Sequence, residues 1–178
     1  MKKIVAVIMI GVLLAVPSST TQAVQNDVIT DAQITAIRTH CTDIQGALNR
    51  LQQADTLLRH NRGQLYRTIA DKLMSPLNQR IASSQLDGAE LVATTAQYNK
   101  EYQVFFDAYK NYDIELSQLL TIDCRKQPTS FYDKLDDVRE KRIQLHNSSV
   151  KIIDLAAQYK KQFDVFRTKQ LANLEKKS

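Results

Sequence analysis

Apolar side chains recur in alternating steps of three and four along most of this chain, the pattern of helices that pack along a seam. In the first stretch they fall at Ile34, Ile37, Cys41, Ile44, Leu48, Leu51 and Leu58, and Leu65 and Ile69 extend the series. Thr30 with Gln33 three residues on forms a capping box, so a helix is predicted over 31–83. Gly63 weakens its middle by about 1 kcal/mol relative to alanine. Pro76 removes an amide and predicts a kink near Leu73. Asp87-Gly88 is the strong turn signal, with Asp87 as the expected cap of a second helix over 88–122 and Glu90 at its third position. That helix carries the cleanest seam: Leu91, Thr95, Tyr98, Tyr102, Phe105, Tyr109, Tyr112, Leu116 and Leu119. Pro128 marks a loop. Ser130 with Asp133 then predicts a third helix over 130–174, with a seam from Phe131 and Leu135 through Arg142, Ser149 and Tyr159 to Phe166.

Three long amphipathic segments with short connections predict an all-α fold, an elongated antiparallel three-helix coiled-coil bundle occupying 31–178. The alternative is a two-helix hairpin that dimerises, a homo-oligomer with the third helix exchanged. With 4 glycines and 3 prolines in 178 residues, the chain has few turns and therefore long elements.

The N-terminus breaks the pattern. Lys2 and Lys3 precede an uncharged, mostly apolar run from Ile4 to Val16, followed by Pro17 and a small polar stretch ending in Thr21-Gln22-Ala23. This reads as a signal peptide over 1–23, cut after Ala23, with a linker over 24–30. The run would make roughly 20 Å of helix, too short for a hydrocarbon core about 30 Å thick. No later segment is apolar enough to span a bilayer, so export is the expectation: secreted, periplasmic or on the cell surface. Losing Lys2 and Lys3 lowers the formal net charge from +5 to +3. The charges are interspersed, which argues against nucleic acid as a partner.

Two cysteines in an exported chain favour a disulfide, Cys41 to Cys124. Helix rise supports it. If the first helix turns back near residue 84, both cysteines reach the same end of the hairpin. The cross-link closes a loop worth roughly 4 kcal/mol in the chain-entropy model.

Asp55, Arg62, Arg142 and Ser149 stand at seam positions where apolar residues are expected. Their heights along the bundle predict a partly buried Asp55–Arg142 pair with the hydroxyl of Tyr109 or Tyr112 nearby, a layer that fixes register. Arg59, Arg62, Arg67 and Lys72 form a basic cluster, a candidate contact face for an anionic polymer and otherwise a solvated helix face. The tyrosine-rich stripe of the second helix reads as core, with Phe106 off the seam as the exposed aromatic.

Catalytic signals are lacking. His40, His60 and His146 follow no ligand spacing, and there is no Gly-rich phosphate loop, GxSxG or HExxH. No cofactor or metal is implied. Asn147-Ser148-Ser149 matches a glycosylation sequon, but inside a predicted helix.

Two stretches, Leu57-Leu58-Arg59-His60-Asn61-Arg62-Gly63-Gln64-Leu65-Tyr66 and Ile122-Asp123-Cys124-Arg125-Lys126-Gln127-Pro128 followed by Phe131-Tyr132, carry a resemblance. With Cys41 and the leader, they resemble small exported helical proteins of unknown function from ultrasmall candidate-phylum bacteria of the Saccharibacteria type. The resemblance implies a bacterial source, a helical coiled-coil fold and paired cysteines. It implies no activity and no site. The functional expectation is a non-enzymatic scaffold or interaction protein of the cell envelope, with a protein or envelope polymer as partner. The alternative is an exported holdase-type chaperone for unfolded or apolar clients.

Overall fold

The computed structural model describes residues 29–176. The leader over 1–23 and linker residues 24–28 lie outside the described residues. The rest is an all-α bundle of three long helical runs, α1 (Asp31–Thr68) continuing through one π-helical turn (Ile69–Met74) into α2 (Ser75–Ser83), then α3 (Ala89–Thr121) and α4 (Pro128–Glu175). Contacts between the helices give their directions. Asp55 meets Tyr112 and Arg142, Tyr66 meets Tyr98, and Met74 meets Tyr159, so α1 runs antiparallel to α3 and parallel to α4. Among the described residues no helix is long and apolar enough to cross a membrane.

The core belongs chiefly to α3 and α4. Leu91, Tyr98, Phe105, Tyr112, Leu116 and Leu119 face Phe131, Val138, Leu145, Ile152 and Tyr159, all buried. Two cross-helix ion pairs, Lys151–Glu101 at 2.7 Å and Lys134–Glu115, hold the hairpin in register. Glu101 is buried beneath its lysine.

α1 lies against this hairpin differently. Its capping box forms as expected, Gln33 N–H donating to Thr30 Oγ1 and Thr30 N–H to Gln33 Oε1. Its fully buried residues are Ile37, Cys41 and Tyr66, so the span from 42 to 65 has none. The helix is a strap, fixed at one end by the Cys41–Cys124 disulfide, whose Cα atoms lie 5.6 Å apart. At the other end Tyr66, Ala70 and Met74 anchor it, with Tyr66 packed edge-on against Phe105 at 5.2 Å.

Pro76 acts one turn earlier than a simple kink. Without an amide it cannot bond the carbonyl of Lys72, and its ring crowds that carbonyl. The preceding turn widens instead, and Ser75 N–H donates to Ala70 O, five residues back.

The turn between α2 and α3 also departs from expectation. α2 ends in a Schellman motif: Leu86 N–H donates to Ile81 O at 3.0 Å and Gln85 N–H to Ala82 O at 3.1 Å. Gln85 takes the left-handed conformation (φ 52°) that usually falls to glycine, at a cost of about 1 kcal/mol. Gly88 is needed for space, since a Cβ there would sit 2.5 Å from Ile81 Cγ2. Gly88, not Asp87, is the cap residue of α3, and Asp87 pairs with Lys169 at 3.1 Å across to α4. Ser130 likewise does not cap the last helix, which begins two residues earlier at Pro128 with its proline in the first turn.

Candidate functional site

The polar seam residues assemble around the Asp55 carboxylate. Tyr112 donates its hydroxyl to Asp55 Oδ2 at 2.9 Å, and Arg59 reaches the same oxygen at 3.1 Å. Arg142 approaches it from α4 with Nε at 3.8 Å and remains half exposed. The nearest cationic partner is thus Arg59, a turn away on the same helix, with Arg142 the outer one.

This corrects the placement of Arg59. Expected on a solvated face, its side chain is 10% exposed. Its guanidinium lies 4.1 Å from the ring centre of Tyr112 and 5.3 Å from that of Tyr109. Cation–π attraction replaces part of the lost hydration, and Nη1, which makes no hydrogen bond, is covered in this packing. The second tyrosine divides the expected role: Tyr112 supplies the hydroxyl, Tyr109 a ring face. Burial, and then the hydrogen bond to Asp55, push the Tyr112 hydroxyl up to about 12, so it keeps its proton and stays a donor at neutral pH. Burial lowers the Arg59 guanidinium and the Asp55 charge opposes that shift. The group stays charged, because arginine does not deprotonate in proteins.

The remaining basic residues stay outside the core. Arg62 is exposed, and with Arg142 and His146 it edges a cavity of about 240 Å³ above the layer. Arg67 pairs with Asp71 at 3.2 Å on the surface. Lys72 is exposed within the π turn, at the edge of a second and larger cavity. The predicted cluster is therefore not one face: Arg59 is interior, and the other three spread along the outside of α1 and the π turn. Phe106 is exposed as expected.

The second correction concerns the seam itself. Leu58 and Leu65, read as core, are 53% and 55% exposed. The bundle-facing positions run Asp55, Arg59, Gly63, Tyr66, Ala70 and Met74 instead, steps of four, four, three, four and four. Such an eleven-residue step rotates the inward face away from a strict heptad. Gly63 faces α3, where an added Cβ would stand 3.8 Å from Phe105. Over this segment polarity is inverted: charged residues point inward and leucines point to water.

A second buried network near the α2–α3 turn was not anticipated. Asn78 donates to Thr95 Oγ1 at 2.7 Å, Tyr159 donates to Asn78 Oδ1 at 3.2 Å, and Thr94 donates to Gln162 Oε1 at 2.8 Å. Thr95 and Tyr159 sit among apolar neighbours at seam spacing, so only their hydroxyls hinted at it.

Among the described residues no group of three or more His, Cys, Asp or Glu side chains could hold a metal ion. Fold and site together define an all-α, disulfide-closed helical bundle with a polar layer beside an exposed leucine row. Comparison with protein-family models, with curated proteins and with solved structures found no match to this chain.

Proposed function

We propose that this protein is a non-catalytic, exported interaction protein of the cell envelope that binds a helical segment of another protein along the middle of α1. The observation that carries the reading is the inverted polarity between Asp55 and Leu65. A sequence concerned only with stability would turn Leu58 and Leu65 inward, since each buried leucine is worth about 2 kcal/mol. Here they keep heptad spacing, seven residues apart, with 53% and 55% of their surfaces left exposed. Local rules tend to be broken where function requires it. The Asp55–Arg59–Tyr112 layer sets the rotation of α1 that presents them. Export rests on the leader pattern and is supported by the paired cysteines, which persist in oxidising compartments.

Charge selects the partner. The exposed flank of the leucine row carries Arg62, with Arg142 of α4 across the same cavity, and the nearby Asp55 is already paired. A second copy packed antiparallel with Leu58 on Leu65 would bring its Arg62 against this one, a like-charge contact that disfavours self-pairing. An amphipathic helix with acidic flanks satisfies both the leucines and the cations.

The holdase reading keeps a claim, because Ile143, Ile153, Val165, Leu171 and Leu174 are also exposed along α4. A photo-crosslinking residue placed at Leu58 in the native envelope separates the two. The interaction reading expects one discrete adduct on an acidic helical segment, reduced at least tenfold by Leu65→Gln without loss of thermal stability. A smear over many unrelated proteins would favour the holdase, and no adduct would sink both.

A further inference from the structure

Widening the helix at Ile69–Met74 opens a pocket between the π turn and α4. Its volume is about 530 Å³, within the range of small-ligand sites. Ile69, Leu73 and Leu77 form one wall, Ala156 and Phe163 the other, and Met74 and Tyr159 lie buried at the floor. The floor offers no spare donor, because the Tyr159 hydroxyl is already directed to Met74 O and Asn78 Oδ1 at 3.4 and 3.2 Å. A polar group entering this space would lose its hydration without replacement. A hydrocarbon chain would not.

The mouth has the opposite character. Lys72, Arg80 and Lys160 are its charged residues, and no carboxylate lines the pocket. Lys160 is held by Asp164 at 2.8 Å. Lys72 and Arg80 have no ion-pair or hydrogen-bonding side-chain partner among the described residues. An apolar interior beneath two uncommitted cations complements a molecule with an apolar tail and an anionic head.

We propose that the π-turn pocket binds a single-chain anionic amphiphile of the fatty-acid class, its tail against Leu73, Leu77 and Phe163 and its carboxylate at Lys72 and Arg80. The site is separate from the leucine row of α1, and the proposal does not depend on the protein-partner reading.

Isothermal titration of the disulfide-intact protein with dodecanoate, kept below its critical micelle concentration, tests it. One-to-one saturable binding is expected, at least tenfold tighter than to dodecyltrimethylammonium. Lys72→Glu/Arg80→Glu weakens dodecanoate at least tenfold. Both residues are exposed, so circular dichroism and thermal stability stay unchanged. Leu58→Gln/Leu65→Gln leaves dodecanoate binding as it was, which separates this site from the helix-binding surface. Three results would overturn the proposal: no saturable binding, equal affinity for the two head-group charges, or binding only to vesicles of phosphatidylglycerol and not to free dodecanoate.

Discussion

Replacing Cys41 and Cys124 together with alanine lowers stability by roughly 4 kcal/mol, measured by urea denaturation under oxidising conditions. The effect follows from what else holds the strap. Cys41 and Cys124 are both buried, and near them α1 contributes only Ile37 as a fully buried residue. The neighbouring polar contacts, Gln45 to Ile122 O at 3.1 Å and Arg125 to Thr42 Oγ1 at 2.8 Å, cannot substitute. The backbone at His40 already leaves helical geometry (φ −101°, ψ 15°), a weak point next to the cross-link. The loss is therefore also local. Amide exchange accelerates over 31–55 by more than it does over α3 and α4, because the first turns of α1 detach before the hairpin opens. Uniform acceleration over all helices would contradict the strap.

The second large effect is at the polar layer. Asp55→Leu alone costs about 3 kcal/mol, because it leaves the Arg59 charge buried without its carboxylate and the Tyr112 hydroxyl without its acceptor. The figure lies at the low end for broken buried pairs, since a cavity lined by Arg62, Arg142 and His146 adjoins the layer. Asp55→Leu/Arg59→Met recovers most of the loss, as apolar replacements of buried ion pairs commonly do. The double variant is thus stable but carries no layer to set the rotation of α1. Denaturation midpoints of the two single variants and the double variant give the coupling directly. Additive losses would mean that Asp55 and Arg59 do not act as a pair.

The sequence made α3 and α4 legible because their seams keep heptad spacing from end to end, with Arg142 and Ser149 as the polar breaks in α4, and apolar spacing is the strongest local signal a chain carries. It made the disulfide legible because helix rise is constant enough to count. α1 was harder. Ile44, Leu51, Leu58 and Leu65 are spaced seven apart, yet only the first two are even partly buried. A heptad rule cannot know that Gly63 allows close approach to Phe105, or that two tyrosine rings wait to receive Arg59. Arginine at position 59 looks like surface because its burial depends on Tyr109 and Tyr112, which lie on another helix. The π turn was legible only as a disturbance near Pro76, since how a helix absorbs a missing amide depends on what packs around it. The pocket beside it follows from that tertiary choice and has no signature of its own.

Thiol accessibility reports most directly which face α1 presents. Cysteine is introduced singly at Leu58, Leu65 and Ala70 in the disulfide-intact protein, and maleimide labelling is timed under native conditions. Position 70 is buried and the two leucines are exposed. Labelling at 58 and 65 is expected near the rate of an unfolded thiol, with position 70 slower by at least a factor of one hundred. Protection at 58 and 65 with free reaction at 70 would place the leucines in the core and contradict an exposed leucine row.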